Sequence, residues 1–170
     1  MSVSPLKNMS NRRHLFISHH HADDGEVSKL TQLLARRNVE VRNSSIRAKP
    51  ANQRRLDEKR VPDSVLKRLL RMKVSWASTV VVLIGKETHQ RPWVNWEIDQ
   101  AHEQGKRIVG VFVRGGTQEN VPPSFEKYGA ALVAWHPESI IDAIDGTGTA
   151  FQQPDGAPRP SVHAGTHSTC

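Results

Sequence analysis

In the stretch VVVLIGKETHQRPWVNWEIDQAHEQGKRIVGVFV, residues 80 to 113, Trp93, Trp96 and Glu97 fall within five residues. A carboxylate beside two indoles suits a ligand made of a sugar and a base. The carboxylate can bind ribose hydroxyls and stabilise positive charge developing on a sugar ring. An indole face can stack on a base or on a pyridinium cation. On a helix, Glu97 lies about 40° around from Trp93. Val94, Ile98 and Ala101 form the core stripe, and Trp93, Glu97 and Gln100 the face beside it, with Trp96 at its far side. The plainer alternative is an exposed helical glutamate among tryptophans that only pack.

The elements around this helix tell where it stands. TVVVLIG (79 to 85) is a continuous β-branched run, the mark of a strand buried on both faces. The helix that follows, 92 to 104, opens with Pro92 and ends at Gly105, a good residue just past a helix. RIVGVFV (107 to 113) is another buried strand, ALVAW (131 to 135) a further one, and PESIIDAIDG (137 to 146) a closing helix. Upstream, HLFIS (14 to 18) reads as a buried strand. ADDGEVSKLTQLLARR (22 to 37) reads as a helix with Val27, Leu30, Leu33 and Leu34 on one face, and Asp23, Asp24 and Glu26 at its anion-favouring start. VEVRN (39 to 43) alternates like an edge strand. Residues 44 to 60 have no clear period and read as a long mobile loop. PDSVLKRLLRMKVSWAS (62 to 78) reads as a helix with Val65, Leu66, Leu69 and Met72 inward.

Strands alternating with helices predict an α/β fold, a flavodoxin-like doubly wound parallel five-stranded sheet with strand order 2-1-3-4-5. In such sheets the ligand crevice lies beyond the carboxyl ends of the strands, at the switch between the first and third strands. Ser18 to Asp23 and Gly85 to Trp93 therefore face it. Ser18, His19, His20 and Asp23 join Trp93 and Trp96 as candidate substrate-binding residues. We expect a flexible lead over 1–12, one domain over 13–145, and a disordered tail over 146–170, which is rich in Gly, Pro, Ser and Thr.

Composition narrows the class of partner. The chain has 170 residues, enough for one ordinary domain. Its single cysteine, Cys170, allows no internal disulfide, which fits a reducing compartment. The first residues carry no apolar signal-peptide core, and no apolar run approaches the ~20 residues of a membrane span. These features predict a soluble cytoplasmic protein with no membrane partner. Net charge is +7, and residues 42 to 73 carry all of the excess, with 11 Lys/Arg against 3 Asp/Glu. That basic segment is either a solvated face or a surface for phosphate-bearing partners. It lacks interleaved aromatics, so a nucleic-acid partner is not expected.

Other motifs exclude more than they assign. The residues GKET (85 to 88) lack the upstream glycine of a phosphate-binding P-loop and have Glu87 after Lys86. No G-x-G-x-x-G follows the first strand, so no dinucleotide cofactor is expected. The run His19–His20–His21 sends adjacent side chains apart, and no metal site is expected. A phosphoacceptor receiver domain needs an aspartate at the end of its third strand, where this chain has Gly85.

HLFISHHHADD, then VVVLIGKETHQRPWVNWEI, then GKRIVGVFV resemble the TIR-like family that includes the ThsB component of bacterial Thoeris antiviral systems. The resemblance runs from about His14 to Ile144. It implies an enzyme that cleaves the nicotinamide–ribose bond of NAD, with NAD as substrate and no cofactor. Trp93 and Glu97 match the family's W-x-x-x-E-like pattern, which implies that Glu97 is the catalytic residue. Ser44, Ser45, Arg47 and Lys49 occupy the loop that often gates or assembles such domains, and a cation there could hold pyrophosphate. The resemblance also implies a phage-derived trigger, an ADP-ribose-derived product, cyclic or not, a separate effector protein that responds to it, and self-association. The rival is a non-catalytic TIR-like adaptor or ligand-binding module that works by assembly.

Overall fold

A computed structural model describes residues 11–43, 58, 62–147 and 150–159. Its centre is β3 (Thr79–Ile84), buried at every position. β1 (Asn11–Ser18) runs parallel to it on one side, with Leu15 opposite Thr79 and Ser18 opposite Val82. β4 (Arg107–Phe112) runs parallel on the other, from Thr79 opposite Arg107 to Ile84 opposite Phe112. β2 (Val39–Asn43) adds to β1, and β5 (Ala131–Val133) adds to β4. The order β2-β1-β3-β4-β5 is the one expected from the alternation of apolar runs.

Side chains alternate across the sheet and meet different helices. Leu15, Ile17, Val81, Leu83, Val109 and Val111 pack with Leu30 and Leu34 of α1 (Asp24–Ala35) and with Ile140, Ala143 and Ile144 of α5 (Pro137–Asp145). Phe16, Val80, Val82, Ile84, Ile108 and Phe112 pack the other way. Their partners are α2 (Asp63–Trp76), α3 (Pro92–Glu103) and α4 (Pro123–Tyr128). Ser18 follows Phe16 by two residues, so it turns to the α2–α3 side, at the carboxyl end of β1.

Chain punctuation follows local chemistry. After α1, Asn38 takes φ 61°, a left-handed conformation that asparagine tolerates better than most residues. Gly105, just past α3, takes φ 69° as its position predicts.

Four expectations change. β1 starts at Asn11 rather than His14, because Arg12 and Arg13 pair with Glu40 and Val41 of β2, and their side chains reach Glu40 and Asp145. α2 does not turn Val65 and Met72 inward. They are 37% and 43% exposed, while Leu70 and Val74 are buried and Leu66 half-buried. α2 carries two apolar stripes, and the one that fits over β1 and β3 wins. The six-residue α4 has too few turns for a periodic signal and was not expected. Residues 150–159, expected in a disordered tail, run beside β5 instead. Leu132 N–H donates to Ala150 O and Gln152 N–H to Leu132 O, and Phe151 packs on the core.

Candidate functional site

Two turns meet at the carboxyl edge of the sheet. The first leaves β1 through Ser18, His19 and His20, which are 1%, 8% and 4% exposed. Histidines in a solvated loop would be the simpler outcome, yet both rings are buried. His19 Nδ1 lies 3.1 Å from Ile17 O, and its Nε2 lies 2.6 Å from Asp24 Oδ1 at the start of α1. His20 Nδ1 accepts from Ala22 N–H at 2.8 Å, so its proton belongs on Nε2, which faces Glu87 Oε2 at 3.4 Å. His21 is exposed, with its ring centroid 4.0 Å from that of His20. The sequence run is expected to send adjacent side chains apart, yet the rings of His20 and His21 lie in contact, and it is His19 that turns away, toward Asp24.

The second turn leaves β3 at Gly85. Thr88 is fully buried, and its hydroxyl accepts from Gly85 N–H at 2.8 Å and lies 3.2 Å from Leu83 O, to which it donates. One side chain thus caps the open end of β3 and fixes the Gly85–Thr88 turn. Asn120 donates to Lys86 O at 2.8 Å and holds the same turn from the loop after β4. Asn95 of α3 accepts from Ser124 N–H at 3.0 Å and donates to Arg91 O at 3.2 Å, pinning the start of α3 against α4.

Asp23 joins the two turns. Its carboxylate lies against the backbone of Gly85, so close that a Cβ there would stand 2.5 Å from Oδ2. Burial raises the Asp23 pKa above the ordinary carboxylate range; His19 opposes the rise, and Glu26, Asp24 and Glu87 add to it. Glu87 also pairs with Arg91 at 3.0 Å. The edge is thus a mixed cluster of carboxylates and cations, gathered from β1, α1 and the β3–α3 turn. Among the described residues, no group of three His, Cys, Asp or Glu side chains stands ready to hold a metal.

Glu97 stands on the second turn of α3, half-buried. α3 presents Asn95 and His102 to α4, where His102 stacks on Tyr128 with 3.8 Å between centroids. Its opposite flank faces α2. There Lys67 Nζ and Arg71 Cζ lie 5.9 and 5.4 Å from the centroid of Trp96, and Arg71 donates to Gln100 at 3.2 Å. By helical spacing Glu97 lies between that seam and the sheet-facing stripe Val94–Ile98–Ala101, about 40° from Trp93. Ser18 turns to this same side of the sheet, whereas His19 and Asp24 lie toward α1. Trp93 and Trp96 meet edge to face, with centroids 5.7 Å apart.

The structure therefore gathers Ser18, His19, His20 and Asp23 at the edge, beside the turn that leads into α3 with Trp93, Trp96 and Glu97. Ser45 and Arg47 lie outside the described residues. Asp24, Glu87, Thr88, Asn95 and Asn120 were not among the expected site residues. Thr88 had a signal in GKET, because a threonine three residues after a strand-ending glycine can cap it; the Asn95–α4 and Asn120–Lys86 contacts link segments with no local pattern in common.

A family model described as Thoeris protein ThsB, TIR-like domain, matches residues 16–118. A protein of Bacillus cereus (strain MSX-D12) named "Putative cyclic ADP-D-ribose synthase ThsB1" is 39% identical over 57 residues. The match covers 34% of this chain and 30% of that protein's length. Among solved structures, the Clostridium botulinum CMP N-glycosidase BcmB aligns with TM-score 0.47 and 12% identity, over 80% of this chain and 100% of that one. A prokaryotic SEFIR domain aligns with TM-score 0.45 and 18% identity, over 79% and 95%.

Proposed function

The chain belongs to the Thoeris ThsB TIR-like domain family, and on that premise we propose that it consumes NAD, breaking the nicotinamide–ribose bond to make an ADP-ribose-derived signal. The observation that carries this reading is the position of Glu97: half-buried on α3, next to Trp93, on the side of the sheet to which Ser18 turns. The name of the Bacillus cereus relative supports a cyclic product.

The chemistry asks little of the protein beyond placement and charge. The leaving group of NAD is a cationic pyridinium, which departs as neutral nicotinamide and needs no strong acid. As the C1′–N bond breaks, positive charge spreads over C1′ and the ring oxygen. A fixed carboxylate at Glu97 holds the ribose hydroxyls and stabilises that charge. Trp93 offers a ring face to the pyridinium or a base. Water attacking C1′ and losing a proton yields ADP-ribose; attack by an adenine nitrogen or a ribose hydroxyl of the same molecule yields a cyclic isomer. Ser18, His19, His20 and Asp23 shape the edge where the rest of the dinucleotide would lie; on sequence grounds Arg47 is the cation offered to the pyrophosphate and Ser45 a further substrate-binding residue. NAD is substrate here, and no resident cofactor is invoked. The enzyme would act in the cytoplasm, on a phage-derived trigger, and pass its product to a separate effector, with self-association as part of its activation.

The test is NAD turnover in lysates of infected cells, wild type against Glu97→Gln, with small-molecule products resolved by mass spectrometry. We expect an ADP-ribose-derived species that falls at least about 100-fold in the variant. Equal NAD profiles, with Glu97→Gln still protecting cells, would favour the adaptor reading, in which the two turns and the sheet edge serve assembly alone.

A further inference from the structure

α2 carries a second apolar stripe that the core does not use. Val65, Leu69, Met72 and Trp76 recur at spacings of four, three and four, which gathers them within about 60° of arc. Leu66, Leu70 and Val74 point to the core, and Lys67 and Arg71 mark the flank toward α3, where they stand over Trp96. The second stripe lies on the remaining, outer flank. Val65, Met72 and Trp76 are 37%, 43% and 63% exposed, and among the described residues they are the large apolar side chains that stand exposed. Single exposed apolar residues are ordinary, whereas an aligned set on one helix face marks a contact surface.

Charge tells what kind of surface it meets. Arg68 is exposed along one border of the stripe. Lys73 lies along the other, with its Nζ 5.0 Å from the Trp76 ring centroid. The acidic residue of α2, Asp63, sits at its first turn, so no carboxylate interrupts the stripe. An indole, a thioether and branched aliphatics, bordered on both sides by cations, is the composition of a helix that lies in a lipid headgroup layer. The long basic side chains reach phosphates while their stems cover apolar surface. A two-fold contact with a second copy would set Arg68 and Lys73 against their own equivalents.

We propose that the outer flank of α2 docks on an anionic lipid surface, with Val65, Leu69, Met72 and Trp76 entering the interface and Arg68 and Lys73 holding headgroup phosphates. No helix of the described residues is long and apolar enough to cross a membrane, so the contact is peripheral. It is independent of the NAD reading, since Met72 and Trp76 lie away from Glu97 and its turn.

The test is co-sedimentation of the full chain with vesicles of phosphatidylcholine alone and with about a third phosphatidylserine. Binding is expected on the anionic vesicles and not on the neutral ones. Met72→Ser with Trp76→Ser keeps net charge and should weaken it by about tenfold or more, while melting temperature and NAD turnover in solution stay unchanged. Lys127→Glu, a charge change on α4, should leave binding near wild type. The lipid assignment is overturned by absence of binding, or by equal binding of the double variant, which would reduce the effect to overall charge. It is also overturned if the wild type is a dimer by light scattering, the double variant a monomer, and neither binds vesicles.

Discussion

The Asp23 carboxylate rests on the backbone of Gly85, with Oδ1 and Oδ2 2.7 and 2.5 Å from where a Cβ would project. This contact seats the turn after β1 on the turn after β3. Gly85→Ala must push Asp23 aside. Asp23 is a short side chain near the surface, so most of the strain can be relieved by its outward rotation. We expect little loss of stability but a fall in NAD turnover of about tenfold or more, because sub-ångström placement of binding groups governs rate. Turnover equal to wild type would remove Asp23 from the site.

The electrostatics of Asp23 give a prediction with a definite sign. Its pKa is raised in the folded protein, chiefly by burial. A carboxyl of that kind favours folding in its protonated form. Its contribution is complete below the unfolded pKa and is lost as pH rises through the folded value, so at neutral pH the ionised group weakens the fold. Asp23→Asn should therefore raise the melting temperature at pH 7, by a few degrees at most. The gain should vanish as pH falls below the ordinary carboxylate range. If Asp23 also holds substrate, the more stable variant should be the less active one. Melting curves between pH 3 and 8, with NAD turnover at pH 7, read both effects; a variant less stable than wild type at pH 7 would contradict the assigned cause.

Thr88 concentrates the stability of the site in one hydroxyl. It is fully buried between Gly85 N–H and Leu83 O. Thr88→Val keeps the shape and leaves that N–H with no acceptor in place of the hydroxyl, at a cost of about 1–3 kcal/mol. Urea unfolding should show a lower midpoint with an unchanged slope. A cost below about 0.5 kcal/mol would mean that water or a rearranged turn replaces the bond.

What the sequence made legible is the set of features that local pattern controls. The unbroken apolar run of β3, Pro92 and Gly105 around α3, and the alternation of strands with helices led directly to the sheet order. The face of α3 was also legible, because Val94, Ile98 and Ala101 leave one orientation for Glu97. α2 was misread because Val65/Leu69/Met72/Trp76 and Leu66/Leu70/Val74 are both good helical stripes, and only the shape of the sheet chooses between them. The buried rings of His19 and His20 were not legible either. Their burial depends on Asp24 and Glu87, which approach from α1 and from the β3–α3 turn.

Trp96 gives a prediction that separates packing from ligand contact. Its ring lies below Lys67 and Arg71 in the α2–α3 seam, and Arg71 is held there by Gln100. Trp96→Leu should cost about 1–2 kcal/mol, and a double-mutant cycle with Arg71→Ala should give a coupling of about 0.5–1 kcal/mol. KM for NAD should stay within about twofold of wild type if the seam is the ring's main role. No coupling, together with a raised KM, would place the indole in the ligand site instead. The parallel substitution Trp93→Leu should raise KM more than it lowers stability.

The strap at 150–159 is the part of the fold most exposed to a decisive test. It adds to the edge at β5, where an unpaired strand would otherwise offer its backbone to solvent or to another chain. Among the described residues, polar contacts hold it: Leu132 N–H to Ala150 O at 3.0 Å, Gln152 N–H to Leu132 O at 2.7 Å, Ala134 N–H to the Gln152 side chain at 3.0 Å, the Gln152 side-chain amide to Ser139 Oγ at 3.4 Å, and Arg159 to Glu126 at 2.7 Å. Phe151 anchors them by packing on the α2–α3–α4 side of the core. The ring is half-buried, so Phe151→Ala should cost about 1–2 kcal/mol rather than the larger cost of a fully buried phenylalanine. The loss should be local. Amide exchange at Leu132 and Ala134 should accelerate strongly, while exchange in β3 follows only the small change in global stability. Because the strap lies at β5 and the Glu97 seam lies toward β1, NAD turnover should be unaffected. Unchanged exchange at Leu132 and Ala134 would show that β5 holds its edge without the strap, and would return residues 150–159 to the disordered tail that their composition predicts.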